Sequence, residues 1–219
     1  MTERGKRQGL FITFEGGEGC GKSTQMRLLA ERLRREGHTV VETVEPGGTR
    51  IGELIRRILL DASNQDLRPM PELLLYFASR AQNIEEVILP ALEKGAIVLS
   101  DRFTDSSMAY QGYGRGLGED AVQALDRIAC RGLVPDATVL LDVDVETGLA
   151  RVRERNLDRA ESRMDEQAVE FHRRVRQAFL RMAAREPGRF HVIDGRPGAE
   201  AVATDVWNVL SPLISKVHV

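Results

Sequence analysis

Short runs of hydrophobic residues alternate along the chain with longer stretches in which hydrophobic positions recur at helical spacing. The short runs are rich in Val, Ile, Leu and Phe and show little period-two alternation, which is typical of strands covered on both faces. They predict strands over residues 10–14, 39–44, 96–100, 138–143 and 190–193. The periodic stretches predict helices over residues 23–36, 52–61, 71–89, 119–131, 146–155, 165–185 and 199–215.

This order of elements predicts an α/β fold of three layers. Strands and helices alternate over the full length, so we expect a five-stranded parallel sheet flanked by helices on both faces and joined by right-handed crossovers. The sequence has no internal repeat or linker that would divide it, and we expect a single domain over residues 1–219. Ligands bind at the carboxyl ends of the strands in such sheets, so the residues that follow each strand are candidate functional residues.

A glycine-rich segment directly follows the first predicted strand. Residues 16–23 match the phosphate-binding motif G-x-x-x-x-G-K-[ST] in the strand-to-helix context that it requires. The glycines let backbone N–H groups surround phosphate oxygens, and the following helix directs its partial positive charge at the same place. The segment therefore predicts a P-loop NTPase fold. The ATP-binding residues it predicts are Gly16, Gly17, Glu18, Gly19, Cys20, Gly21, Lys22, Ser23 and Thr24.

Within this loop, Lys22 would reach the β- and γ-phosphates and the Ser23 hydroxyl could bind Mg²⁺. Asp101 and Arg102 follow the third predicted strand. Asp101 could hold the same Mg²⁺ through water, and the guanidinium fork of Arg102 suits a second phosphate group. A helix-capping aspartate paired locally with the arginine is the alternative interpretation. GTPases are disfavoured because the Asn-Lys-x-Asp and Asp-x-x-Gly patterns are absent, and motor-type ATPases because Val143 follows Asp142 where they carry Asp-Glu.

Composition and charge narrow the possible partners. The formal net charge is −2 and the pI is about 6.1, so the basic excess typical of nucleic-acid-binding proteins is missing and no nucleic-acid partner is expected. Cys20 and Cys130 lie far apart and outside any metal-ligand spacing, which favours a reducing cytoplasm. Nowhere do 18 hydrophobic residues follow one another, so no membrane association is expected.

Five segments occur together in the order and spacing of one enzyme family. They are residues 15–24, Glu45-Pro46-Gly47-Gly48-Thr49, residues 76–82, residues 101–112 and Leu157-Asp158-Arg159. In these segments the chain resembles bacterial thymidylate kinases, which are P-loop nucleoside monophosphate kinases. The resemblance implies transfer of the γ-phosphoryl group of ATP to dTMP, giving dTDP and ADP for dTTP biosynthesis. It also implies Mg²⁺ as cofactor, ATP and dTMP as ligands, and a homodimer.

The resemblance assigns roles at the acceptor side of the site. Arg102 would bind the dTMP phosphate, Arg80 would hydrogen-bond the carbonyl edge of the pyrimidine, and Tyr76 would stack on its ring. Tyr110 would pack below the sugar, where a 2′-hydroxyl would clash. From the residues alone, core packing is the alternative for Tyr76 and Phe77. The substrate-binding residues that the resemblance implies are Glu18, Pro46, Arg56, Tyr76, Arg80, Arg102, Ser107, Tyr110 and Gln111.

Three of these assignments carry further detail. Glu18, the acid of the P-loop, would approach the 3′-hydroxyl or the metal, and Ser107 would lie near the base. Val44 stands where the family commonly carries arginine, so Arg50 and Arg56 are candidates for the second arginine at the acceptor phosphate. On the donor side, Arg196 follows the last predicted strand and is expected to line the ATP site.

Five arginines occur between residues 151 and 163. If the helix continues, Arg151, Arg155 and Arg159 share one face and their positive charges repel one another. A polyphosphate ligand would offset this repulsion. A salt-bridged surface helix is the alternative. The resemblance makes this segment, at about residues 150–164, a lid. Because the P-loop supplies Glu18 and no arginine, positive charge for the transfer would come from the lid. The catalytic residues are then Lys22, Arg102, Arg153, Arg155 and Arg159.

Other functions stay open at this point. A monophosphate acceptor is already largely deprotonated at pH 7, so its phosphorylation needs positioning and charge but no general base. In a deoxynucleoside kinase the acceptor is a neutral hydroxyl, and Glu45 would serve as its base. The remaining alternatives are another pyrimidine monophosphate kinase and a nucleotide-dependent switch without enzymatic activity.

Overall fold

The computed structural model describes residues 8–155, 163–164 and 167–216, and within them five strands form one parallel sheet. The strands are β1 (Leu10–Glu15), β2 (Val40–Val44), β3 (Ile97–Asp101), β4 (Ala137–Asp142) and β5 (Phe190–Asp194). Their order is β2-β3-β1-β4-β5, so β1 is the central strand. The α/β fold and the parallel sheet predicted from the sequence are confirmed, and every strand boundary lies within one residue of its prediction.

The helices of the described residues cover both faces of this sheet. They are α1 (Lys22–Arg35), α2 (Arg50–Leu60), α3 (Pro69–Asn83), α4 (Leu89–Glu93), α5 (Thr104–Ser107), α6 (Glu119–Ala129), α7 (Val145–Arg155), α8 (Val169–Arg185) and α9 (Ala199–Ile214), with π-helical segments over Ile84–Ile88 and Met108–Gly114. None of these helices is long and hydrophobic enough to cross a membrane.

The helix predicted to end before Pro90 continues through it, so that prediction was wrong. α3 passes into the π-helical segment Ile84–Ile88, and α4 begins at Leu89 with Pro90 in its first turn. A proline is tolerated in a first turn, where its missing N–H group needs no helical partner. The wider π-helical turn therefore lets one continuous helical element contain the proline.

A helical segment that the sequence analysis did not predict lies between β3 and α6. α5 and Met108–Gly114 contain serine and glycine, which have low helix propensity, so the local pattern does not indicate a helix. Packing stabilises it instead, because Ala109 and Tyr110 are buried in a cluster with residues of α8. At Gly114 a Cβ atom would lie 2.8 Å from the Phe171 ring, so the glycine allows α8 to approach.

Residues on alternate sides of each strand fill two hydrophobic layers. Ile12 and Leu99 pack with α1 and α9 on one face. Phe11 and Val98 pack with α3 and α6 on the other. Burying each such side chain stabilises the fold by roughly 1.5–3 kcal/mol. The two layers hold the strands in register, which brings the segments after β1, β2 and β3 to one edge of the sheet.

Candidate active site

A cavity of about 440 Å³ opens at this edge. The P-loop lines one side, and residues of α2, α3 and the helical segment after β3 line the other. The predicted residues that line it are Glu18, Gly19, Cys20, Gly21, Lys22, Ser23, Thr24, Pro46, Arg56, Tyr76, Arg80, Asp101, Arg102, Ser107, Tyr110 and Gln111. Glu45, which was considered only as the base of a deoxynucleoside kinase, also lines it, and the lining residues that were not predicted are Val44, Leu60, Ser106 and Met164.

The P-loop curls around the amino group of its lysine. Lys22 Nζ donates to the carbonyl oxygens of Gly16 (3.1 Å) and Gly17 (2.9 Å). Gly19 has φ of +67°, and a Cβ atom there would lie 2.1 Å from the carbonyl oxygen of Gly148 in α7. Glycine is therefore required at this position both for its conformation and for the close approach of α7.

The predicted metal-binding residues lie together. Ser23 Oγ donates to Asp101 Oδ2 at 2.6 Å, so a hydroxyl and a carboxylate from β3 meet directly below the P-loop. Oxygen donors of this kind suit Mg²⁺, which usually keeps several waters and takes one or two protein ligands besides the substrate phosphates. In the described part of the chain, no group of three His, Cys, Asp or Glu residues could hold a metal by itself. The donor set therefore fits a metal carried in with a nucleotide.

Arg102 adopts a left-handed backbone conformation, with φ of 74°. A non-glycine residue in this region is strained by about 1–3 kcal/mol and persists only where its surroundings hold it. Its N–H group donates to Phe14 O (3.0 Å), and its carbonyl oxygen accepts from Ser100 Oγ (2.7 Å). The turn directs the guanidinium toward the P-loop, where Nη1 donates to Gly16 O at 3.1 Å.

Glu15, which the sequence analysis did not single out, stabilises this turn from below. It is fully buried at the end of β1, and its carboxylate accepts from Phe103 N (2.7 Å) and Ser106 Oγ (2.5 Å). Ser106 Oγ in turn accepts from Arg102 Nη1 at 3.0 Å. Burial, together with the nearby Asp105, raises the pKa of Glu15 to about 8. Its position directly after the first predicted strand was the sequence signal for this residue.

Glu18, Arg102 and Tyr110 form a hydrogen-bonded triangle. Glu18 Oε1 accepts from Arg102 Nη2 (2.8 Å) and from the Tyr110 hydroxyl (2.8 Å), and Arg102 Nη2 also lies 3.2 Å from the Tyr110 hydroxyl. Burial acts to raise the pKa of Glu18, but Arg102 and Lys22 outweigh it and lower that pKa to about 2. Glu18 is therefore ionised at neutral pH. The ring of Tyr110 is buried against Phe171 and Phe179, which makes it a rigid wall of the cavity.

Arg80 lies at the other end of the cavity and is almost fully buried. Its Nε donates to Glu45 Oε2 at 2.6 Å, and its Nη2 donates to the carbonyl oxygen of Phe103 at 3.1 Å. Its Nη1 has no hydrogen-bond partner among the described residues, and neither has Ser107 Oγ. Burial raises the pKa of Glu45, although Arg80 and Asn83 oppose the shift. Arg80 and Ser107 both line the cavity, and each thus carries one buried polar atom that has no partner among the described residues.

The structure shows which of several neighbouring candidate residues line the cavity, a distinction that the sequence pattern could not make. Phe77 is buried in the hydrophobic core, while its neighbour Tyr76 lines the cavity. Burial, with Glu72 nearby, raises the pKa of Tyr76 to about 12, so its hydroxyl stays protonated. Of the two candidate arginines, Arg56 lines the cavity and donates to Pro46 O at 2.6 Å, whereas Arg50 is exposed at the start of α2.

Some predicted residues are not brought into the cavity. Arg196 is exposed and pairs with Asp194 at 2.7 Å. The backbone beside it is close to the P-loop, because a Cβ atom on Gly195 would lie 2.9 Å from Cys20 O. Arg151 of α7 donates to the carbonyl oxygens of Gly195 (2.9 Å) and Arg196 (3.1 Å). Arg153 is exposed on α7. Arg159 lies outside the described residues, as does the side chain of Arg155, so the lid assignment of these arginines stays a prediction.

The family of the chain follows from comparison with known proteins. A family model described as thymidylate kinase matches residues 14–206. The chain belongs to the thymidylate kinase family. The thymidylate kinase of Pelobacter propionicus is 53% identical over 199 residues, covering 89% of this chain and 90% of that protein. The thymidylate kinase of Geobacter sulfurreducens is 53% identical over 205 residues, covering 92% and 96%.

A solved structure agrees with these matches. The crystal structure of thymidylate kinase from Ehrlichia chaffeensis is 36% identical in sequence, covers 93% of this chain and 98% of its own, and superposes with a TM-score of 0.76. The resemblance to thymidylate kinases, the P-loop fold and the enzyme class predicted from the sequence are thereby confirmed. Membership of the thymidylate kinase family makes the chain a nucleotide kinase that uses ATP.

Proposed function

We propose that this cavity is where the chain transfers the γ-phosphoryl group of ATP to dTMP, giving dTDP and ADP. The observation that carries the proposal is the arrangement of its two ends. Arg102 bonds to Gly16 and Glu18 of the P-loop, and the next residue, Phe103, accepts from Arg80, whose Nη1 has no partner among the described residues. This is the order in which a phosphate donor, an acceptor phosphate and a base would lie.

Arg102 would bind the acceptor phosphate, and Lys22 the β- and γ-phosphates of ATP. Both cations lie within hydrogen-bond distance of Gly16 O, so two phosphate groups bound to them would be brought close together. Ser23 and Asp101 would hold Mg²⁺, whose charge would offset that of the phosphates. Catalysis of phosphoryl transfer consists mostly of such positioning and charge stabilisation.

The base would bind between Tyr76, Arg80 and Ser107. Arg80 Nη1 can donate to a pyrimidine carbonyl, and Ser107 Oγ can donate or accept. A buried donor that lacks a partner costs about 1–3 kcal/mol, so a ligand that supplies the partner is favoured over one that does not. These two atoms support a pyrimidine as the base of the acceptor.

Glu45 argues against the deoxynucleoside kinase alternative. Its two carboxylate oxygens accept from Arg80 Nε and, at 3.2 Å, from Asn83 Nδ2. A carboxylate engaged in this way orients Arg80 and has little capacity left to take a proton from a hydroxyl. A monophosphate acceptor needs no such base.

An acceptor panel tests this function. With ATP and Mg²⁺, we expect turnover of dTMP and none of thymidine, and much lower kcat/KM for uridylate than for deoxyuridylate, because Tyr110 would exclude the 2′-hydroxyl. Cytidylate and adenylate complete the panel. Activity on thymidine but not on dTMP would refute the proposal, and equal rates on uridylate and deoxyuridylate would refute the role of Tyr110 alone.

The proposed function includes a lid that closes over the cavity. We infer one domain with a lid at about residues 150–164, in which Arg153, Arg155 and Arg159 would supply charge to the transferring phosphoryl group and closure would exclude water. Arg196 would border the ATP site through its backbone, next to the P-loop.

A cytoplasmic location is supported by Cys20 and Cys130, which are both free and buried.

A homodimer is supported by large hydrophobic side chains that remain exposed on two adjacent helices. Leu54 and Ile58 of α2 and Met70 and Leu74 of α3 are each between 44% and 48% exposed. We expect the unaltered chain to have twice its monomer mass of 24.4 kDa in solution, and Leu74→Glu to shift it to the monomer. Sedimentation analysis would measure both masses. Val192→Glu, at an equally exposed position on β5, is the control, and a dimeric Leu74→Glu variant would contradict the assignment.

A further inference from the structure

Glu72 of α3 is a fully buried carboxylate behind the base end of the cavity. It is not among the residues that line the cavity, but it bonds to one that does, since Gln111 Nε2 donates to Glu72 Oε1 at 2.8 Å. Arg115 donates to both carboxylate oxygens, through Nε at 3.2 Å and Nη2 at 3.1 Å, and Arg163 donates through Nη2. Four N–H groups of three side chains therefore converge on this carboxylate.

Glu72 decides which way the amide of Gln111 points. Glu72 Oε1, the oxygen that faces Gln111, already accepts from Arg115 Nε, and Oε2 accepts from Arg115 and Arg163, so both oxygens act as hydrogen-bond acceptors here. The NH₂ group of Gln111 must therefore face Glu72, because the opposite orientation would set two acceptors against each other. The carbonyl oxygen of Gln111 is left on the other side of the amide, where no described residue donates to it.

Among the residues that line the base site, Gln111 Oε1 can then only accept and Arg80 Nη1 can only donate, whereas Ser107 Oγ can do either and does not discriminate. Thymine presents the complementary pair, since its O4 accepts and its N3–H donates. Cytosine presents the reverse, because its N4 amino group donates and its N3 accepts. A buried site made for one pattern rejects the other strongly, since its polar groups are then left without partners.

We propose that Glu72 is a positioning residue that sets base selectivity, by holding the Gln111 amide with its carbonyl toward the base so that thymine is accepted and cytosine rejected. Glu72 does not touch the substrate and acts through Gln111. The proposal rests on the proposed dTMP kinase function and names a residue that determines its specificity.

Glu72→Gln tests this role, because a glutamine at this position can both donate and accept and no longer dictates the orientation of Gln111. We expect the dTMP-to-dCMP ratio of kcat/KM to fall about tenfold, as for one redirected hydrogen bond. The same fall is expected in the ratio of dissociation constants from calorimetry. A parallel loss for both nucleotides, with both ratios unchanged, would show that Glu72 is only structural.

If Glu72→Gln alone folds poorly, the role can be tested in a double variant that also removes one positive charge, Glu72→Gln/Arg115→Gln, with Arg115→Gln as its control. Arg115→Gln leaves the Glu72–Gln111 hydrogen bond and the Arg163 contact in place, and we expect it to change the ratios less than twofold. The double variant Glu72→Gln/Arg115→Gln has the same net charge in the cluster and should repeat the tenfold fall. If Arg115→Gln alone lowered the ratios equally, the proposal would be wrong.

The outcome for Glu72 is distinguishable from that for the proposed function. Turnover of dTMP by the unaltered chain tests the proposed kinase function. The ratio of dissociation constants for dTMP and dCMP is measured without turnover, so it decides the role of Glu72 in either event.

Discussion

Replacing Arg102 with alanine is expected to lower kcat/KM for dTMP by about 10²–10³-fold, the range found when a preorganised donor to a developing charge is removed. The KM for dTMP should rise far more than the KM for ATP, because we propose that Arg102 binds the acceptor phosphate, while Lys22, which would bind the phosphates of ATP, remains in the P-loop. Steady-state kinetics with each substrate varied in turn would measure both. Equal increases in the two KM values would place Arg102 on the wrong side of the site.

Two variants control for indirect effects of this change. Arg27→Ala removes an exposed arginine of α1 that pairs only with Glu31 at 2.6 Å in the described structure, and should leave both KM values unchanged. Glu18→Gln/Arg102→Ala removes the carboxylate that Arg102→Ala leaves unpaired. If orphaned Glu18 repels the incoming phosphate, the double variant should have a lower KM for dTMP than Arg102→Ala alone.

Replacing Arg80 with methionine is expected to destabilise the fold by about 3–5 kcal/mol, because it leaves a buried carboxylate without its partner. Arg80 and Glu45 are only 1% and 2% exposed, and 2.6 Å separates Arg80 Nε from Glu45 Oε2. Urea denaturation would measure the loss. The variant should also bind dTMP more weakly, since Nη1 is lost. A loss below about 1 kcal/mol, the range of exposed ion pairs, would contradict this account.

The pH dependence of this loss has a definite sign. Burial already raises the pKa of Glu45 and Arg80 opposes the shift, so removing Arg80 raises that pKa further. The folded state then holds a proton that the unfolded state releases, and its stability falls as pH rises from the unfolded toward the folded pKa. We therefore expect the loss in Arg80→Met to be smaller at pH 5 than at pH 8. Glu45→Gln/Arg80→Met, which cannot titrate at position 45, should show a smaller loss without this dependence.

Much of the fold could be predicted because the strands are nearly continuous hydrophobic runs and each is followed by a periodic helix. The P-loop could be predicted because its chemistry is local: its glycines, Lys22 and Ser23 are adjacent in sequence and act through the backbone they share. Residues 104–114 could not be predicted as helical, because Ser106, Ser107 and the glycines have weak propensity and the segment is stabilised by packing against α8.

For a related reason, Glu15 and Glu72 were missed as carboxylates that support the site, and Glu45 was considered only as the base of a deoxynucleoside kinase. Glu15, Glu45 and Glu72 each act on a residue distant in sequence: Phe103 and Ser106, Arg80, and Gln111 respectively. Nothing in the local pattern indicates which arginine or amide such an acid will meet. Arg163 illustrates the same limit, since it stood among the lid arginines in the sequence and is in fact a buried partner of Glu72.

The sequence by itself determined that this chain binds a nucleotide phosphate and belongs with thymidylate kinases, because a phosphate cradle and short family segments are encoded in consecutive residues. Only the tertiary structure decided how the acceptor side is built. The strained turn at Arg102, the unpaired Nη1 of Arg80 and the orientation of the Gln111 amide all depend on carboxylates brought from other strands and helices. Buried hydrogen bonds of this kind connect residues through space, so they exist only once the sheet and its helices have assembled.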